Sequence, residues 1–178
     1  METPTASAGR RGTGFGIVPA TEADVPDLIE MIGELARFEG LSEELEVTAD
    51  SLRAAMFGRH PAAGALIARI GGEVAGYAVY YRTFSTFVGR PGIFLEDLYV
   101  RPSFRQGGLG RALLVAVARI GVALGDGRFE WIALRWNESA LRFYRGLGAR
   151  PMDDWALLRM NRRDVAQLLR TPNHYSHD

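Results

Sequence analysis

The sequence predicts a mixed α/β fold of the α+β class, with a central twisted sheet and helices on both faces. Three observations carry that reading. Two β-prone runs, Gly64–Ile70 and Glu73–Arg82, flank Gly71-Gly72, a dipeptide suited to the tight turn of an antiparallel hairpin. Downstream, strand-like and helix-like periods alternate, which adds parallel pairing and makes the sheet mixed. Between these regions the apolar run Phe94–Val100 passes through the turn Arg105-Gln106-Gly107-Gly108-Leu109-Gly110 straight into a helical apolar pattern.

Each element has a local cause. Phe15–Pro19 reads as a short first strand. Thr21 caps a helix with acids in its first turn and apolar Val25, Leu28, Ile29, Ile32 and Leu35 at helical spacing. Thr48 or Asp50 starts a shorter helix through Phe57. Arg90-Pro91-Gly92 reads as a turn before the strand Phe94–Val100. A helix over 108–124 ends near Gly125 and Gly127, and Phe129–Arg135 reads as a strand. Asn137 caps a helix that runs through Leu147 and stops at Gly148. A last strand over Trp155–Met160 precedes Asn161, which caps a helix to Arg170. No linker or repeat appears, so 14–170 is expected as one domain between a disordered tail (1–13) and a short polar tail (171–178).

Composition narrows the chemistry. At 178 residues the chain suits one domain, long enough to bury about 70% of its unfolded surface. No apolar run reaches the ~18 residues of a membrane span, and the arginine pair Arg10-Arg11 lacks the apolar stretch of an export signal. There is no cysteine, which excludes disulfides and a cysteine nucleophile and is compatible with a reducing cytoplasm. There is no lysine either; every basic side chain other than the histidines is arginine. Zero net charge hides a polarity along the chain. Ten carboxylates stand between Glu22 and Asp50 against Arg37 alone, while thirteen arginines stand between Arg101 and Arg170 against six acids. An acidic first part suits a cationic substrate, and a basic second part suits an anionic cosubstrate. The pair His174-x-x-His177 lacks further ligands, so no metal is expected. The arginines lack the pattern of a nucleic-acid surface.

A strand that ends in glycines and opens a helix can receive phosphate, because backbone N–H groups approach the anion and the helix start adds about half a positive charge. The P-loop pattern is excluded for want of Gly-Lys-Ser/Thr, and G-x-G-x-x-G is not matched. The pattern present is R-x-x-G-x-G, with Arg105, Gly108 and Gly110. Together with Leu95-Glu96-Asp97-Leu98-Tyr99-Val100 and Trp136-Asn137-Glu138-Ser139-Ala140-Leu141-Arg142-Phe143-Tyr144, it resembles the Gcn5-related N-acetyltransferases (GNAT), in their diamine, spermidine/spermine-type branch. The resemblance spans roughly residues 14–160. It implies the GNAT fold, in which the fourth and fifth strands splay apart, with acetyl-CoA as cosubstrate, a small amine as acceptor, a homodimer and a cytoplasmic enzyme.

The resemblance also implies roles. Leu98, Tyr99 and Val100 would hold the pantetheine arm, with the Leu98 N–H a candidate oxyanion donor. Arg105, Gln106, Gly107, Gly108, Leu109, Gly110 and Arg111 would receive the pyrophosphate, and Asn137 and Ala140 would also contact the cofactor. Tyr144, whose phenol (pKa ~10) stays protonated at neutral pH, would be the general acid. Glu96 would hold an ammonium group and accept a proton. Phe38, Glu39, Glu130 and Trp131 match substrate-contacting stretches. Phenylalanine at 38, where the family has tyrosine, removes a hydroxyl and leaves the amine open among polyamines, diamines and thialysine-like amino acids. Simple strand alternation puts Glu96 and Asp97 on opposite faces, with Asp97 read as architectural. Acetylation of another amine, such as an aminoglycoside or a peptide N-terminus, and a non-catalytic acyl-CoA sensor remain alternatives.

Overall fold

The computed structural model describes residues 14–170; both expected tails, with His174-x-x-His177, lie outside the described residues. The chain divides into two compact units, Met1–Ile132 and Ala133–Asp178.

The first unit holds a five-stranded sheet in sequence order: β1 (Phe15–Pro19), β2 (Gly64–Ile70), β3 (Glu73–Ser85), β4 (Arg90–Val100) and β5 (Phe129–Trp131). The first four strands pair antiparallel and β5 joins β4 in parallel, which makes the sheet mixed. Helices α1 (Val25–Glu39) and α2 (Ala49–Phe57) cover one face. Their Val25, Leu28, Met31, Leu52 and Met56 pack on Ile67, Tyr77, Val79 and Tyr99. Helix α3 (Leu109–Ala123) covers the other, burying Leu109, Leu113, Leu114 and Val117. Burying one such aliphatic side chain is worth about 1.5–3 kcal/mol. The approach of β3 to β4 requires glycine at Gly76, where a Cβ would sit 2.5 Å from the Tyr99 carbonyl oxygen.

The entry to α1 is tied to the sheet. Thr21 N–H and Oγ1 donate to Asp24 at 2.7 and 2.9 Å, closing a capping box. The buried Asp24 carboxylate also accepts from the Arg69 guanidinium of β2. Burial works against that carboxylate, but the bonds from Arg69 and Thr21 outweigh it and hold its pKa below the ordinary value. Thr48 rather than Asp50 caps α2, accepting from the Ser51 N–H at 3.1 Å.

Three expectations need correction. Arg90-Pro91-Gly92 is not a turn but the start of β4, opposite Ser85, Phe84 and Thr83 of β3. The reversal comes earlier, where Gly89 takes φ 67° and its N–H donates to the Ser85 carbonyl at 2.8 Å. Next, β5 ends at Trp131, not Arg135, because its ladder with β4 stops at Leu95↔Trp131. Finally, Trp155–Met160 is not a strand. A strand exists only through a ladder partner, and these residues join no sheet among those described.

In the second unit, Asn137 caps α4 (Glu138–Gly146), accepting from the Ala140 N–H at 3.1 Å. Asn161 and Asp164 form a capping box at the start of α5 (Arg162–Leu168).

The Asp24 network has a measurable pH signature. A carboxylate with a lowered folded pKa contributes stability above its unfolded value, and that stability is lost as pH falls through the folded pKa. Asp24→Asn should cost about 2–3 kcal/mol at pH 7, with the gap to wild type narrowing below about pH 4. Urea melts across pH check this; equal midpoints at pH 7 would contradict it.

Candidate active site

The site begins with a register shift in β4. Val79 of β3 pairs with Asp97 but its neighbour Tyr80 pairs with Leu95, so Glu96 is the extra residue of a β-bulge. The consequence is a change of face. Before the bulge, Leu95 and Ile93 point toward α3, where a Cβ added at Gly121 would come within 3.3 Å of the Ile93 side chain. After it, Asp97 and Tyr99 lie on the α1 side, where Tyr77 donates its hydroxyl to Asp97 Oδ2 at 3.1 Å. Glu96 already belongs to that side, two residues beyond Phe94, whose ring stacks on Tyr81 at 5.2 Å. The two carboxylates therefore share a face, contrary to the alternation expected for a regular strand. Asp97 is tied to the sheet through Tyr77; burial and then the Glu96 charge next to it raise its pKa.

Asp97 lines a small cavity of about 190 Å³ with Ile32, Leu35, Ala36, Glu39, Leu41, Glu44 and Leu45. Burial pushes its pKa up from 3.8 to about 6; the Tyr77 bond opposes this, and the nearby charges of Glu96 and Glu39 add to it. Burial also raises the pKa of Glu39. Tyr77 rises well above 10.0, first because it is buried and then because Asp97 is beside it. The cluster strongly favours an incoming cation or proton, since one more positive charge relieves its like-charge repulsion.

Glu130 stands opposite Phe94 in the β4–β5 ladder and so shares the Glu96 side. It is exposed, with Arg128 at 3.8 Å. Trp131 stands opposite Leu95 and lies on the other face, packed edge-on against Phe129 at 5.0 Å. The substrate-binding expectations are thus divided between the two faces.

Beyond Leu95 no strand among the described residues pairs with β4 on its β5 side, which leaves the Glu96–Val100 edge open there. The chain then turns. The Arg101 guanidinium meets Glu34 at 3.0 Å and Glu30 at 3.1 Å and donates from Nη1 to the Val74 carbonyl at 3.1 Å. It is therefore a structural clamp between α1 and the sheet. The Arg105 Nε donates to the Val100 carbonyl at 2.8 Å, and its guanidinium lies over the rings of Phe38 and Tyr99 at 5.4 and 5.6 Å. Gln106 (φ 67°) and Gly108 (φ 82°) adopt left-handed conformations just before α3. Such a turn lines up successive N–H groups as an anion-binding concavity. The first intrahelical bond is Ala112 N–H to Gly108 O at 3.0 Å. The N–H groups of Leu109, Gly110 and Arg111 thus precede the helical ladder. A Cβ at Gly107 or Gly108 would meet nothing within 4 Å, so packing does not demand glycine there. Backbone conformation demands it at Gly108, and open access to the backbone is what both positions share.

In the second unit Asn137, Ala140 and Tyr144 share one face of α4, at spacings of three and four. The Tyr144 ring lies 5.1 Å from that of Phe143. Among the described residues no group of three or more His, Asp or Glu side chains gathers as a metal site, and no helix is long and apolar enough to cross a membrane.

The model of the acetyltransferase (GNAT) family matches residues 27–149, a stretch that contains α1, the bulged strand, the glycine turn and α4. The chain belongs to the GNAT family. It is 37% identical over 143 residues to thialysine N-epsilon-acetyltransferase of Mus musculus, covering 76% of this chain and 84% of the relative. The Caenorhabditis elegans protein of the same description is 40% identical over 130 residues, with 73% and 79% covered. Among solved structures, an integron cassette protein of V.cholerae superposes with a TM-score of 0.74 at 22% identity, covering 92% of this chain and 100% of that one. The protein is an acetyl-CoA-dependent N-acetyltransferase.

The raised Asp97 pKa fixes a sign for this acetyltransferase. Its proton is held more tightly folded than unfolded, so its contribution is fully present below about pH 4 and is lost as pH rises through about 6. Asn at 97 carries no charge and can still accept from Tyr77. Asp97→Asn should therefore gain about 2–3 kcal/mol over wild type at pH 8 and little at pH 4. Denaturant melts at both pH values decide, and a variant weaker than wild type at pH 8 would overturn this account of Asp97.

Proposed function

We propose that the acceptor is a primary amine of a small diamine or thialysine-like molecule, acetylated by direct attack while both substrates are bound. The observation that carries this reading is the cluster of Glu96, Asp97 and Glu39 on the α1 side of β4, beside an open strand edge and an anion-binding turn. A free alkylamine has a pKa near 10.4 and is mostly protonated at neutral pH. Glu96 holds that ammonium group at the surface and accepts its proton, and Glu39 and Glu130 strengthen the local preference for cations. The relatives' description as thialysine acetyltransferases supports an acceptor with a second charged group.

Acetyl-CoA supplies the acetyl thioester. The N–H groups of Gln106, Gly107, Gly108, Leu109, Gly110 and Arg111 would hold its pyrophosphate, with the open backbone at Gly107 and Gly108 supporting that fit. The Arg105 side chain, stacked on Phe38 and Tyr99, braces the end of β4, so its contribution to the cosubstrate is through the backbone. The backbone of Leu98, Tyr99 and Val100 would align the pantetheine arm, with the Leu98 N–H donating to the developing oxyanion. Asn137 and Ala140 would add contacts from the start of α4. The amine nitrogen forms its bond to the acetyl carbon as the carbon–sulfur bond breaks. The first proton, taken from the ammonium group by Glu96, passes to solvent; the second leaves the nitrogen as the amide forms, Tyr144 would give its hydroxyl proton to the departing sulfur, and that second proton restores the phenol through solvent, so that one proton is released per turnover. We also propose a homodimer, which sedimentation of the purified protein tests.

Tyr144→Phe should lower kcat about a hundredfold or more and leave acetyl-CoA affinity within a factor of three; unchanged turnover would remove Tyr144 from the acid role. Glu96→Gln should raise KM for diamines more than for a monoamine of equal length, and an equal effect on the two would remove Glu96 as the ammonium anchor. A panel of polyamines, thialysine, lysine and aminoglycosides identifies the acceptor. Tight acetyl-CoA binding with no turnover of any amine would favour a sensor.

A further inference from the structure

The far end of β4 has the least support from the sheet. The β5 ladder stops at Leu95↔Trp131, so from Glu96 to Val100 the strand pairs with β3 alone. The β3 ladder itself ends at Gly76↔Val100. Beyond it the chain makes one short turn, Pro102–Phe104, and reaches the left-handed residues Gln106 and Gly108. Local opening concentrates at such ends unless side chains tie them down.

Arg101 supplies the tie. Proline at 102 restricts the residue before it to extended backbone, and Arg101 takes φ -54° and ψ 139°. It therefore continues the direction of β4, and its side chain follows Asp97 and Tyr99 onto the α1 side. Its N–H donates to the Ala75 carbonyl at 2.9 Å, and Nη1 donates to the Val74 carbonyl at 3.1 Å. Nε donates to both oxygens of Glu34 at 3.0 and 3.2 Å, while Nη2 lies 3.0 Å from Glu34 and 3.1 Å from Glu30. Glu30 and Glu34 stand one turn apart on one face of α1. Glu34 meets β4 a second time, since burial and then this carboxylate raise the pKa of the Tyr99 phenol. The Arg101 and Glu34 side chains are only 23% and 20% exposed, so solvent screens their pairing less than it does a surface ion pair. With two carboxylates against it, the guanidinium has no surplus charge to offer a phosphate.

We propose that Arg101 is a positioning residue for acetyl-CoA. Held by Glu34, it fixes the Leu98–Val100 edge and the glycine turn in the spacing that the pantetheine arm and the pyrophosphate require, without touching either. This rests on the reading that the edge and the turn receive the cosubstrate. The gain in affinity comes from preorganisation, because binding then spends nothing on ordering the strand end.

Calorimetric titration of CoA into the full chain, with amide hydrogen exchange of the unliganded protein, tests this. Arg101→Met should weaken CoA binding about tenfold or more. It should also speed exchange at residues 98–101 and 106–111 while leaving residues 113–117 of α3 unchanged. Glu34→Gln should weaken binding in the same direction, and the double variant should be no worse than Arg101→Met alone. A guanidinium that touched the phosphates would be freed by Glu34→Gln and bind CoA more tightly, and that result would overturn the proposal. Equal affinity in wild type and Arg101→Met would overturn it too, as would faster exchange spread evenly over the sheet, which marks general destabilisation. Arg101→Lys keeps the charge without the planar fork and should recover only part of the affinity; if Arg101→Met does not fold, Arg101→Lys and Glu34→Gln decide on the same readings. In wild type, CoA should slow exchange across residues 98–111. No slowing there would sink the cosubstrate site and this proposal with it, whereas slowing with unchanged affinity in the variants would sink the role of Arg101 alone.

Discussion

One extra residue in β4 organises the site. By inserting Glu96 into the ladder with β3, the bulge keeps Leu95 and Ile93 in the core against α3 and turns Asp97 and Tyr99 to the opposite side. Without it, Asp97 would enter an apolar layer as an unpaired carboxylate, at a cost of several kcal/mol. With it, Asp97 finds the Tyr77 hydroxyl and the small cavity beneath α1. The same shift comes just after the point where β5 stops pairing, so the acidic side and the open strand edge begin at one place.

Around that strand the charges are sorted. Glu30 and Glu34 are consumed by Arg101, and Asp24 by Arg69, so much of the acidity of the first part of the chain is structural. Beside β4 lies a patch of carboxylates at Glu39, Glu96 and Asp97, and the guanidinium groups of Arg37 and Arg105 line the adjoining cleft. In the acetyl transfer proposed above, the carboxylate patch takes up a proton of the amine.

Much of this was legible in the sequence. Gly71-Gly72, the helix periods and the caps at Thr21, Thr48, Asn137 and Asn161 announced their elements because each depends on a few adjacent residues. The glycine turn was equally plain, since a left-handed backbone such as that of Gly108 favours glycine. The bulge was not legible: nothing local in Leu95-Glu96-Asp97-Leu98 distinguishes a bulged strand from a regular one, and the register is decided by what β3 and both helix layers will accept. The reversal at Gly89 was misplaced onto Arg90-Pro91-Gly92 because Pro-Gly is also a turn signal, whereas here long-range pairing with Thr83–Ser85 prevails. The strand expected at Trp155–Met160 failed for a related reason, because β propensity supplies no ladder partner.

Glu96 and Asp97 share one side of β4 and feel each other's charge. The most direct measurement is a carbon-detected NMR titration of the Asp97 carboxyl group in wild type and in Glu96→Gln. The expected midpoint is about 6 in wild type and lower once the neighbouring negative charge is removed. A midpoint that does not move on losing Glu96 would place the two carboxylates apart and contradict it.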